Sequence, residues 1–527
     1  MLSRRTSGIL ALAVVLLLAL VNMMALRTSN RAPDDAYISL RYADNLAQGH
    51  GLRFNPGRER VEGFSSPLHV MTMAVMIKAG FAPRAVSQFS SLSAALLTIL
   101  VAGVWGQRKI GLLWGTLAAL ALALSQGLSF WARSGMETTG FTLVILLAFI
   151  AALENRWRTM GVMAGLIGVL RPDGILYLGP LFMFAGLVQR RDQKPLRILV
   201  PALVLALAPM TAWFLFRVIY FHDVLPNTYY AKMDGTNLAQ MQRGLRYAFS
   251  FIRLGENQSF LALIGIGAAF YMFRTRTTAR NWLTVWPALG LGLVTCSLFF
   301  ILTSGGDWMP QHRFFQPVLP LLILMTAGAC RYLANVAPST LGRTVSTTLL
   351  VLVFVSQPVR IFSHDLRHPT YPLDRPLGLV EPFDDYRICE LFKLGLEMRK
   401  IAPPGATFAL GPVGAFPYAW GGTVIDMAGL NDREIARLPV LNMGQGKMGH
   451  EKGNGQIILA RKPDFILMRG FANPKVNETA PPEEKDFTFG PRRQIWEDES
   501  FHQDYEPFLV KIDQNVSYTI HRRIAGR

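Results

Sequence analysis

From Gly8 to about Arg360 the chain alternates long apolar runs with short polar connectors, and no other feature restricts its fold as much. A run of roughly 18 or more apolar residues spans a bilayer as a helix. Once inside lipid, helices must satisfy their own backbone hydrogen bonds. The composition agrees: 51% of the residues are hydrophobic and only 17% are charged, against about 25% charged in a typical soluble domain. After Arg360 no run is long enough to span. The pattern therefore predicts a polytopic α-helical membrane body over 1–360 and a soluble tail over 361–527.

Arg4 and Arg5 precede an apolar stretch from Gly8 to Leu26 with no small-x-small cleavage signal after it. It reads as a retained signal anchor with its N-terminus in the cytoplasm. The piece Leu68–Ile77 is too short to span and is expected at the interface. The following runs, 85–106, 110–130, 138–153, 159–170, 174–188, 198–220, 258–273, 281–302, 315–333 and 344–360, bring the expected spans to about eleven. The connectors then sort by charge. Those placed in the cytoplasm, Gln107–Lys109, Glu154–Arg158, Gln189–Arg197, Arg274–Arg280 and Arg331–Arg343, are all basic. Those placed outside are Ser134–Glu137, Arg171–Asp173, His222–Asn257 and Gly305–Arg313. This parity obeys the positive-inside rule and puts the first loop, 27–67, and the tail outside a bacterial cytoplasmic membrane.

The same rule accounts for the net charge of +18 through basic loops and contact with membrane lipid. No basic stripe interleaved with aromatics marks a nucleic-acid surface. Cys296, Cys330 and Cys389 show no metal or redox spacing.

Five polar constellations fall on the outer side. The first runs from Asp34 and Asp35 through Tyr37, Arg41, Tyr42 and Asp44 to Asn45, and reads as an amphipathic helix over 36–47 lying in the interface. Paired carboxylates repel, so they point to a general base, a metal or a partner arginine, or else to an acidic helix start. The second is the turn-rich stretch from Gly49, His50 and Gly51 to Glu62, Gly63 and Pro67. The third is Arg171, Pro172, Asp173 and Gly174. The fourth is Pro226, Asn227, Thr228, Tyr229, Tyr230, Ala231 and Lys232. The fifth runs from Gly305, Gly306 and Asp307 to His312 and Arg313, where glycine amides and cations suit a phosphate. In the tail, 386–401 has helical spacing, and 407–410, 423–426 and 465–468 read as buried strands of a small mixed α/β domain. Gly411–Gly414 is a turn without the Walker lysine or GxGxxG spacing.

These motifs together resemble the GT-C glycosyltransferases, and within them the terminal β-(1→2) arabinofuranosyltransferases of mycobacterial cell-wall arabinan and their bacterial relatives. Asp34-Asp35, Arg41-Tyr42, Asn45, Glu62-Gly63 and Pro67 match the first loop. Pro226-Asn227-Thr228, Gly305-Gly306-Asp307-Trp308 and the tail run from Asp426 through Gly429-Leu430 to Asp432 match later motifs. The resemblance implies inverting transfer of a sugar, arabinofuranose first, from a polyprenyl-phosphate donor to a cell-envelope glycan. It implies Asp34 as the base with Asp35 orienting it, binding a hydroxyl or sharing a divalent cation. It puts Arg41, Arg171, Lys232, His312 and Arg313 at the donor phosphate, and Tyr37, Glu62, Asp173, Asn227, Tyr230 and Asp307 at sugar or acceptor. A GT-C transferase for another sugar and a lipid-linked-sugar flippase are the alternatives. A flippase would place ionisable residues near the midplane, whereas here charges cluster at span ends.

Overall fold

The computed structural model describes residues 3–25, 32–233, 237–253, 261–267, 286–336, 338–367, 385–440, 443, 449–468, 490–513 and 516–524. The expected connector 274–280, most of the expected span 258–273 and the start of 281–302 lie outside these residues. Packing sorts the chain into two units. One comprises Met1–Asn30, Gln88–Trp213 and Gln242–Phe383, and the other Arg31–Ser87, Phe214–Met241 and Asp384–Arg527. The first loop, read from the sequence as part of the membrane domain, thus packs with the tail.

Among the described residues, five helices are long and apolar enough to cross a membrane: Arg5–Met24, Pro83–Lys109, Leu196–Phe221, Trp286–Ser304 and Arg313–Ala334. The expected span over 110–130 is broken. Leu112–Ala123 and Gln126–Arg133 meet at 55° and make a sixth span if counted together. Ser125 caps the second piece by accepting a bond from the Leu128 N–H. Asn22 closes the break from the first helix, its amide donating to Ala123 O and Ser129 Oγ, both at 3.0 Å. A side chain inserted at a helix break satisfies carbonyls that the ladder has released.

Other expected spans are shorter helices, Thr138–Leu153 and Trp157–Leu170. The latter is rich in small residues for a packing reason. A Cβ on Gly161 would collide with the Ala202 carbonyl, and one on Gly165 would lie 2.8 Å from Leu205 O. Small residues four apart let two helix backbones touch, the usual source of cohesion where lipid is as apolar as the side chains.

In the other unit, Pro67–Lys78 is a helix of 12 residues, about 18 Å long at 1.5 Å per residue and too short for a core of about 30 Å. Its Val70 and Met73 are buried while Val75 is 69% exposed, as an interface helix requires. The helix Asp34–Ala47 behaves differently from expectation. Ala36, Tyr37, Ile38, Leu40, Arg41, Tyr42, Ala43 and Asn45 are all buried. That is more than one face of a helix, so it is a packed core element and not a helix lying in an interface.

The tail is a mixed α/β domain. β1 (Thr407–Leu410), β2 (Thr423–Asp426), β3 (Phe465–Ile466), β4 (Tyr505–Asp513) and β5 (Val516–Arg523) form one sheet in the order β2-β1-β3-β5-β4. β1 is parallel to β2 and β3, with Ala409 opposite Ile425 and Ile466. β3, β5 and β4 are antiparallel. Ala409, Ile425, Met427, Ile458, Ile466, Ile495 and Phe501 form its core.

Gly161→Leu is expected to lower stability by at least about 1–3 kcal/mol, the usual cost of overpacking. Reversible unfolding in mixed micelles measures it, with Gly179→Ala, where an added Cβ meets nothing within 4 Å, as a neutral control.

Candidate active site

Asp34 and Asp35 open the helix Asp34–Ala47, behind Pro33 at its N-cap. Carboxylates are favoured at that end by the helix dipole, yet the two side chains have different fates. Asp34 Oδ2 accepts the Gly414 N–H at 2.8 Å and Oδ1 accepts the Ala415 N–H at 2.7 Å. Residue 414 must be glycine, because a Cβ there would overlap the Asp34 carbonyl. Burial pushes the Asp34 carboxyl up to about 6; the two amides pull against it and Asp35 adds to it. Asp35 is half-buried, and among the described residues no hydrogen bond or ion pair engages it.

Arg41 is buried and spends its fork on uncharged oxygens. Nε donates to Phe54 O at 2.7 Å, Nη2 to Gly422 O at 2.7 Å and to Asn55 Oδ1 at 3.3 Å, and Nη1 to Pro417 O. Its plane covers the Phe54 ring at 4.5 Å. Asn55 continues the sheet past its edge: its Nδ2 donates to Val424 O at 2.8 Å and its Oδ1 accepts Val424 N–H at 3.0 Å, as a further strand would. Tyr42 Oη donates to Val61 O at 2.7 Å, accepts from Gly63 N–H at 3.1 Å and lies 3.1 Å from Asn431 Oδ1.

The tail motif around Asp426 completes this network. Asp426 accepts from the amides of Ala428, Gly429 and Asn431 and from Asn431 Nδ2. Burial, opposed by these bonds, pushes its carboxyl up to about 7. Asn227 Nδ2 donates to Gly429 O at 2.8 Å and Leu430 O at 2.9 Å, and its own N–H donates to Glu62 O at 3.0 Å. Glu62 is locked in a two-pronged pair with Arg217, at 2.5 and 3.2 Å. Tyr37 is buried beneath Arg84, which donates to its hydroxyl at 2.5 Å. Tyr230 lies under the Arg437 guanidinium, 4.6 Å from the ring centre. Lys232, half-buried, has no hydrogen bond or ion pair among the described residues.

The remaining sequence-selected residues lie in the membrane body. Arg171 reaches Glu137 at 3.0 Å and Asp173 at 2.9 Å, all three nearly enclosed. Asp307 pairs with Arg313 at 2.6 Å. The Phe314 ring lies beneath both guanidiniums, 5.3 Å from that of Arg171 and 5.1 Å from that of Arg313. His312, in a left-handed backbone conformation, lies 2.7 Å from Ser250 Oγ. Burial pushes the imidazole down to about 4, so it is neutral at pH 7.

Sequence reading missed Glu137, Arg217 and the Gly414–Ala415 amides as partners. Only the Gly411–Gly414 turn signal pointed near the last of them. Among the described residues no three His, Cys, Asp or Glu side chains gather as a metal set. Both Asp34 oxygens are taken by backbone amides.

The whole chain can now be compared with known proteins. Residues 384–518 match a family model described as a domain of unknown function, DUF8728. No curated protein sequence matches the chain. Among solved structures, ArnT from Cupriavidus metallidurans bound to undecaprenyl phosphate aligns over 98% of both chains, with a TM-score of 0.55 and 11% identity. ArnT in the apo state aligns over 80% of this chain and 86% of its own, with a TM-score of 0.53 and 14% identity. The arabinofuranosyltransferase AftD from Mycobacteria aligns over all of this chain and 40% of its own, with a TM-score of 0.50 and 14% identity. The chain shares the fold of ArnT and AftD, with several helices long and apolar enough to cross a membrane.

Two outcomes are expected. Glu62→Gln leaves Arg217 buried without its counter-charge and costs about 3–5 kcal/mol, read as a lower unfolding midpoint. Asp34 and Asp426 titrate above the ordinary carboxylate value of about 4, so the stability linked to their protonation is present at low pH and lost as pH rises through about 6 and about 7. The thermal midpoint should be higher at pH 5 than at pH 8, and Asp426→Asn should flatten that slope.

Proposed function

We propose that this protein is an inverting glycosyltransferase that moves a sugar from a polyprenyl-phosphate donor to a cell-envelope glycan on the outer face of the bacterial cytoplasmic membrane. The observation that carries the reading is the unequal acid pair of the first loop. Asp34 is held by two backbone amides, and the adjacent Asp35 carboxylate is unengaged among the described residues. The GT-C fold supports the same reading, as does the undecaprenyl phosphate bound to ArnT. Arabinofuranose is the sugar we propose, on the first-loop resemblance and the likeness to AftD.

In this reading Asp35 is the base and Asp34 the positioning residue, the reverse of the order implied by the family resemblance. The acceptor hydroxyl gives its proton to Asp35, and its oxygen attacks C1 of the sugar. The C1–O bond breaks, and the electron pair leaves with the polyprenyl phosphate. A phosphate leaving group needs its charge balanced more than it needs a proton, and Lys232, which has no hydrogen bond or ion pair among the described residues, is a cation free to supply that charge. Arg41 leaves the phosphate-binding set because carbonyls take its fork. His312 leaves it because it is neutral. Arg171 and Arg313 keep a place only in so far as their carboxylate partners leave them net charge. Glu62, Asn227 and Tyr37 hold the loop in shape and do not touch sugar.

The test is acceptor-dependent release of polyprenyl phosphate by protein in nanodiscs, with polyprenyl-phosphate arabinofuranose as donor. Asp35→Asn should lower kcat by about 10²–10⁴, the usual worth of a general base, at unchanged thermal midpoint. Asp34→Asn should retain measurable turnover but shift the midpoint. Lys232→Ala should act mainly on donor KM. Inactive Asp34→Asn at native stability beside active Asp35→Asn would reverse the roles. Release only from a different polyprenyl-phosphate sugar would keep the chemistry and replace the sugar. No release from any donor in a panel would refute the enzyme reading.

A further inference from the structure

The membrane body encloses a second chemical environment, formed where four of its helices end. Pro83–Lys109, Thr138–Leu153, Leu178–Arg191 and Leu319–Ala334 all reach it with their C-terminal turns, around a cavity of about 660 Å³. Lys109, Arg191 and Arg331 line it, with no Asp or Glu among the lining residues. Arg191 meets the neighbouring Asp192 at 3.0 Å. Arg331 donates from one nitrogen to Lys109 O at 3.0 Å, and neither Arg331 nor Lys109 has a carboxylate partner among the described residues. Trp105 and Trp286 meet edge to face at 6.0 Å in the wall. Trp105 is 6% exposed, and its indole N–H has no acceptor among the described residues.

Basic side chains at helix C-termini answer the negative end of the helix dipole. That accounts for cations here, but not for a cavity of this size or for a buried donor left without a partner. Two cations without a carboxylate, a third shared with Asp192, and an N–H with no acceptor among the described residues call for an anion with several acceptor oxygens. The apolar wall beside them, with Phe184 and Val188, suits something carrying an acyl or glycerol portion. Basic pockets between membrane helices on the side marked by basic connectors are where anionic headgroups settle. We propose that this cavity holds the phosphate headgroup of an anionic phospholipid, at the opposite ends of these helices from the Arg171 and Arg313 ion pairs. The proposal rests on the body alone and is independent of which sugar, or any, the protein transfers.

Native mass spectrometry of the full-length protein, released from mild detergent with phosphatidylglycerol or phosphatidylcholine added, tests it. One phosphatidylglycerol should be retained and phosphatidylcholine should not. Lys109→Gln with Arg331→Gln should weaken retention at least tenfold. Arg108→Gln with Arg158→Gln, exposed basic positions that do not line the cavity, should leave it unchanged. Trp105→Phe keeps the ring, removes only the donor and should weaken retention several-fold, which covers the case of a double variant that does not fold. Equal loss in both double variants, or loss in neither, overturns the proposal. So does displacement of the lipid by millimolar inorganic phosphate or glycerol phosphate, which would make the ligand a free phosphate and not a lipid.

Discussion

A buried guanidinium with no carboxylate partner among the described residues organises the first loop. Taking a charge out of water is costly unless hydrogen bonds replace its hydration, and Arg41 finds them on Phe54, Pro417 and Gly422 carbonyls and the Asn55 amide. Burial still pulls it down, to about 10, a value at which it stays charged at pH 7. Those acceptors come from segments far apart in the chain, so the charge is tolerated only when loop and tail are packed together. The Asp34 amide cradle, the Asn55 edge pairing and the Tyr42–Asn431 contact depend on the same arrangement. Each is a polar group taken from water on condition that a specific partner is present. The acid pair is thus held at the start of a packed helix and not on a loop of its own.

The membrane body solves a similar problem with opposite charges. Arg171 is flanked by Glu137 and Asp173, and Arg313 by Asp307. These pairs are nearly enclosed, where breaking one leaves an uncompensated charge and keeping it adds little net stability. They specify how the connectors at these helix ends fold, while Asn22 performs the equivalent service with an uncharged amide at the break after Ala123. Basic and acidic residues at span ends therefore divide by role. Some are ties, spent on partners inside the protein, and some keep their chemistry available.

That division is what the sequence shows least well. Apolar runs, their spacing and the charge of their connectors are local, so the apolar helices of the body, the short helix Pro67–Lys78 and strands β1 and β2 were legible. The two-stranded ribbon Tyr505–Arg523 was not singled out, because its alternation is interrupted by charges that face outward on both strands. The expected single span over 110–130 is bent where Leu124 and Ser125 interrupt a continuous apolar run, since hydropathy does not register a bend. Among the motif residues, Glu62 and Arg217 pair across a separation of 155 positions, and Asp34 meets Gly414 across 380. A loop arginine such as Arg41 looks the same whether it grips a phosphate or four carbonyls. Polar residues gathered at one side of a membrane signal that something polar is built there; only packing tells which of them do the building.

The unit that holds the acid pair is assembled from three stretches of chain, Arg31–Ser87, Phe214–Met241 and Asp384–Arg527. During synthesis the first stretch emerges long before the last. With translation at about 5–20 residues per second, the 380 residues between Asp34 and Gly414 correspond to roughly 20–75 s in which Asp34, Arg41 and Asn55 have none of their tail partners. Over that interval the nascent loop lacks the Gly414 and Ala415 amides and the Pro417, Gly422 and Val424 backbone groups that its polar side chains meet in the folded chain. The protein therefore cannot acquire its acid site piecemeal as its helices enter the membrane. The Asp34 cradle forms only once the tail is made, and a chain that ends before Gly414 lacks the two amides that hold this carboxylate.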